Sequence, residues 1–165
     1  MSSQTQGATG YSTDEWELLV ELPELVSIAA TSAEADGMRR TVEEGLAADR
    51  AIEAGRHSDS PLVRRVAAEL WTDDDTGDEP RPTAIEFNDR RAGLADTLVK
   101  ARRVALVLEN RAAPADAAAY QEWMLAIGRE VCAATRSGGF LGLGGEQISP
   151  AERAFLAELA EALSL

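Results

Sequence analysis

The chain has one cysteine, one histidine and, among its 16 basic residues, a single lysine, Lys100. One cysteine rules out an intramolecular disulfide, and Cys132 lies beside an apolar helix face, where it reads as a small hydrophobe. One histidine leaves no second imidazole at ligand spacing, so a His-based zinc site is not expected. A His-dependent triad would have to use His57, which sits in a polar Gly-Arg-His-Ser-Asp turn without any nucleophile-elbow pattern. Aromatic residues are 5% of the sequence and alternating β-branched runs are missing, which argues against a sheet. No apolar run approaches the ~20 residues of a membrane span. No basic segment followed by an apolar stretch heads the chain, so no signal peptide is expected and the cytoplasm is the expected compartment.

What is present is acid and small apolar side chains. Twenty-nine acidic residues against 16 basic ones leave a formal charge of −13. A field of that sign repels phosphate backbones and anionic lipid, so neither nucleic-acid binding nor membrane insertion is expected; basic partners and cations are favoured. A length of 165 residues suits one domain that buries roughly 70% of its unfolded surface. Apolar residues are 45% of the chain, much of it Ala, so the core should be Leu, Val, Ile and Ala between closely spaced helices.

Read from end to end, residues 1–12 form a polar tail expected to be disordered, followed by a single helical domain at 13–165. Thr13 offers a first N-cap, with Trp16, Leu19, Val20, Val26 and Ala30 at helical spacing behind it. Pro23 should mark a kink or the first turn of a second helix, and Asp36-Gly37 should end the segment. Thr41 to Glu44 is a capping box opening a helix to about Gly55, and Ser60-Pro61 opens another. Residues 72–82 are acidic, contain Gly and Pro, and read as a mobile loop. A long helix is expected from Thr83 to about Asn110, carrying Ile85, Leu94, Leu98, Val99, Leu106 and Val107. The next runs from Ala115 to about Ser137 through Tyr120, Trp123, Met124, Ile127 and Val131. Ser149-Pro150-Ala151-Glu152 combines a capping box with a proline at the first helical position, the strongest start signal in the chain. The fold class is therefore all-α, a compact bundle of six or seven helices. Two helix–loop–helix halves echo each other, Glu15-Trp16 through Glu44 and Glu122-Trp123 through Glu152.

Ala35-Asp36-Gly37 followed by Glu43, and Ile148-Ser149-Pro150-Ala151-Glu152 leading into Leu156, Ala160 and Leu163, resemble the tellurite-resistance TerB-like family. The match covers roughly residues 26–50 and 124–163. The sequence departs from that pattern at Arg39 and Arg40, where the family has Ile and Ser, and at Gly144-Gly145-Glu146, where it has Asp-Gly. The resemblance implies an all-helical fold, acidic metal-binding residues and a role in stress response through complexes near the membrane. It carries metal binding over to Asp36, Glu43 and Glu152.

Candidate chemistry is sparse. Asp73 to Glu79 fails as an EF-hand, because glycine falls at the fifth position and Ala84 stands at the twelfth. The run Ser137 to Gly145 follows a helix and has no lysine, unlike phosphate loops. Its Phe140, Leu141 and Leu143 either dock on the core or form a contact surface for a partner. Trp16 and Trp123, at corresponding points of the two halves, are expected in the core; a flat ligand between them is the alternative. The leading functional expectation is a non-enzymatic binding or scaffold module acting through a protein partner or self-association. The second is a cation-responsive protein binding calcium or manganese through Asp36, Glu43, Glu146 and Glu152. The third is an enzyme or cofactor carrier, for which no residue constellation argues; no cofactor is expected beyond the divalent cation.

Overall fold

The computed structural model describes residues 6–7, 10–33, 42–72, 87, 89–134 and 148–165. Among them are six α-helices: α1 Thr13–Ser32, α2 Val42–Ala54, α3 Pro61–Thr72, α4 Arg90–Arg111, α5 Pro114–Ala134 and α6 Pro150–Ala162. A 3-10 turn, Gly55–His57, links α2 towards α3. The architecture is an all-α bundle. No described helix is long and apolar enough to cross a membrane.

Two-residue strands β1 (Gln6–Gly7) and β2 (Tyr11–Ser12) pair antiparallel ahead of α1, in register Gln6 to Ser12. Tyr11 is buried in the main core. The N-cap of α1 is Ser12 rather than Thr13: its hydroxyl accepts from the Glu15 N–H while the Glu15 carboxylate accepts from the Ser12 N–H at 2.8 Å. Ser-x-x-Glu is the capping-box spacing, and it was legible one residue upstream of the expected cap.

Helix α1 runs through Pro23 without interruption. A proline there has no N–H to give the carbonyl four residues back, which is that of Leu19. The hydroxyl of Tyr120 on α5 donates to that carbonyl at 2.7 Å, fully inside the core. The bond lost to the proline is thus replaced from a neighbouring helix. Helix α1 ends at Ser32, before Asp36-Gly37, and Arg90 of α4 donates to the carbonyls of Ser32 and Ala33. Helix α4 starts at Arg90 rather than Thr83, because Asp89 caps it through the Ala92 N–H. Val99 and Leu106, two of the apolar residues it carries, are exposed. Ser60-Pro61 and Ser149-Pro150 open α3 and α6 as the sequence predicts.

Helices α1 and α5 each pack against every other helix of the bundle. Side chains of α5 also tie three helix backbones together: Tyr120 reaches α1, Gln121 donates to the Leu163 carbonyl behind α6, and the Trp123 indole N–H donates to the Ala51 carbonyl in α2. The Trp123 ring lies so close over Gly55 that a Cβ there would stand 2.6 Å from it. Only glycine tolerates that approach. The corresponding acids of the two sequence halves, Glu44 and Glu152, are both buried.

The acidic loop expected at 72–82 lies beyond the described residues apart from Thr72, the last residue of α3. The glycine-rich run 137–145 lies wholly outside them.

Candidate functional site

Helix α1 contains five acidic residues and no basic one. Glu17, Glu21 and Glu24 recur at steps of four and three, which places them along one stripe of the helix. Trp16 and Val20 lie beside that stripe. Helix α3 packs against α1 and contributes Glu69 and Leu70. Together these side chains line an open groove of about 540 Å³, with an apolar floor of Trp16, Val20 and Leu70 and a carboxylate rim.

The N-terminal end of the groove is fixed in place. Trp16 packs on Tyr11 with ring centroids 6.0 Å apart, and the Arg65 guanidinium lies 5.0 Å from the Trp16 ring centre. Tyr11 is raised above its ordinary pKa of 10.0, first by burial and then by the charge of Asp116, so it stays neutral across the physiological range. Glu15 is held below the usual carboxylate value of 4.5, first by the Ser12 backbone N–H and further by Arg111. On the opposite flank, Lys100 of α4 bonds Glu21 at 2.7 Å and approaches Asp96 at 3.5 Å. The Glu21 hydrogen bond raises its ammonium above the ordinary 10.5.

A groove of this kind supplies van der Waals area and negative potential but no chemistry. Its titratable groups are carboxylates on a solvated rim, without a nucleophile or a paired acid and base among the described residues. It suits an occupant that brings aliphatic side chains and guanidinium or ammonium groups together.

Of the sequence-predicted metal ligands, only Glu152 has a described side chain. Glu152 is buried and its carboxylate accepts from the Ser149 N–H at 2.6 Å, completing the α6 capping box. Glu43 belongs to α2, but its side chain is outside the description; Asp36 and Glu146 lie outside the described residues altogether. Among the described residues no three His, Cys, Asp or Glu side chains are grouped to hold a metal ion. Phe140, Leu141 and Leu143 also fall outside the described residues. His57 is exposed and Cys132 is buried. Trp123 is enclosed between Gly55 and Tyr120, whose ring it meets edge-on at 5.9 Å, whereas Trp16 lines the surface groove. The two indoles face different surroundings and do not enclose one ligand.

Sequence reasoning missed the groove. Its signal was the stepping of Glu17, Glu21 and Glu24 beside Trp16 and Val20, which reads equally well as an ordinary solvated helix face. Leu70 and Glu69 become part of it only through the packing of α3 on α1.

Compared with known proteins, the chain matches no family model, no curated protein and no solved structure.

Proposed function

We propose that the chain is a non-enzymatic binding module, and that the α1–α3 groove holds a basic segment with an apolar face from a partner protein. The observation that carries this is the groove's composition: three apolar side chains below four carboxylates. Its immediate neighbours already favour such groups, since Arg65 covers Trp16 and Lys100 bonds Glu21. The overall charge of −13 adds long-range attraction for a basic partner and repulsion of an acidic one.

Kinship with the TerB-like helical proteins belongs to the same proposal, as does a stress-related role. It is supported by the all-helical architecture and by Ser149 and Glu152 opening α6 in the manner that pattern requires.

The test is a titration of the full chain with a synthetic amphipathic peptide carrying leucines on one face and arginines on the other. Tryptophan emission is the readout, because Trp16 lines the groove. The expected result is saturable binding that weakens with salt and is lost in Glu17→Arg/Glu24→Arg. Equal binding of a peptide with glutamates in place of the arginines, or undiminished binding by the variant, overturns the reading.

A further inference from the structure

Charge is distributed unevenly over the bundle. Helix α4 has six basic residues and two acidic ones, in a chain whose 29 acids outnumber 16 bases. Its exposed side also holds two of the large apolar side chains that are exposed among the described residues: Val99 is 50% and Leu106 is 58% exposed. Arg102 and Arg103 are exposed between them. Positions 99, 102, 103 and 106 are spaced by three and four, so they share one helix face. That face is two aliphatic side chains flanking two guanidinium groups.

This is the complement of the α1–α3 groove, in chemistry and in length. From Val99 to Leu106 the helix rises about 10.5 Å, and from Trp16 to Glu24 the groove wall rises about 12 Å. Aliphatic side chains facing Trp16, Val20 and Leu70 would leave Arg102 and Arg103 level with the middle of the groove at Glu21, with Glu17 and Glu24 about one helical turn to either side. The chain itself uses the same pairing internally, where Lys100 of α4 meets Glu21 of α1.

We propose that the occupant of the groove is helix α4 of a second copy of this chain. The inference rests on the groove being a docking site for basic amphipathic segments, and it names the segment. The two surfaces are different, so copies join either reciprocally, each α4 in the other's groove about a two-fold axis, or head to tail into a ring or filament. At about 0.15 M salt the ~8 Å Debye length screens the overall repulsion between acidic copies while leaving pairs in contact largely intact.

The experiment is sedimentation velocity on the full chain at about 0.15 M salt, from roughly 1 µM to 1 mM, a span that covers Kd values typical of weak self-association. Two variants accompany it, Arg102→Glu/Arg103→Glu and Glu17→Arg/Glu24→Arg, each checked for unchanged helical circular dichroism. The wild type is expected to form dimers or larger species as concentration rises. Each variant alone is expected to associate on the order of tenfold more weakly or worse, because like charges then face each other. An equimolar mixture of the two variants is expected to recover association, since each reversed face meets its complement on the other chain. A wild type that stays monomeric throughout, association unaffected by either reversal, or a mixture that does not recover overturns the proposal. If the wild type is monomeric yet the arginine peptide still binds the groove, only the identity of the occupant fails; if the peptide also fails to bind, the groove reading falls with it.

Discussion

Trp16 and Trp123 occupy matching points of the two sequence halves, yet one lines a surface groove and the other is locked inside the bundle. The difference lies in where each falls along its helix. Trp16 is in the first turns of α1, beside the Ser12 cap, where the helix end meets solvent. Trp123 is near the middle of α5, and α5 touches every other helix. Trp123 therefore finds a carbonyl for its N–H and a glycine beneath its ring, while Trp16 finds an arginine and four nearby glutamates. Aromatic residues serve both roles, because a large apolar face with a polar handle suits cores and interfaces alike.

The comparison can be broken experimentally, and the largest effect is expected at the inner tryptophan. Trp123→Ala removes a buried ring and leaves the Ala51 carbonyl without its donor, costing about 3–5 kcal/mol. For a chain of this size that lowers Tm by roughly 6–20 °C, measurable by calorimetry.

Tyr120→Phe comes next. It leaves the Leu19 carbonyl buried without a donor, at a cost of about 1–3 kcal/mol. Pro23→Ala supplies a backbone N–H to that same carbonyl, so the double variant should lose less than the sum of the two single losses. A double-mutant cycle by urea unfolding reads this coupling, and strict additivity would show that Tyr120 does not stand in for the missing N–H. Burial holds the Tyr120 hydroxyl well above its ordinary 10.0. Its raised pKa means this contribution is complete below pH 10 and is lost as pH rises further, when the unfolded chain's tyrosine ionises first.

The smallest effect is expected at the α1 cap. Glu15 is depressed below 4.5 by the Ser12 N–H, so its contribution is full above that pH and is lost as pH falls below it. Glu15→Gln should flatten the acid side of the stability–pH profile, and Ser12→Ala should cost about 1 kcal/mol at neutral pH. Thermal melts between about pH 3 and pH 7 check both.

Helix starts that carry a Ser-Pro or capping-box signature were the most legible part of the fold, because capping is local chemistry; α4, expected from Thr83, begins instead at Arg90 behind Asp89. Ser60-Pro61 and Ser149-Pro150-Ala151-Glu152 opened helices where their side chains indicated. The end of α1 was not legible: Arg90, far along the chain, caps Ser32 and Ala33, whereas the local signal pointed to Gly37. The exposure of Val99 and Leu106 was hidden for a related reason. Helical periodicity shows that residues share a face but not which neighbour covers it, and the six arginine and lysine side chains of α4 were the only hint that part of that helix stays outside. The groove was least legible, since it needs α3 against α1, a contact that local sequence does not encode.

The most direct test of the central claim, that Trp16 marks a working surface rather than a second core, is Trp16→Ala carried through both a thermal melt and the arginine-peptide titration. A Tm lowered by only a few degrees with peptide binding abolished is the expected pair of results. A collapse comparable to that of Trp123→Ala, or binding that persists without the ring, would contradict it.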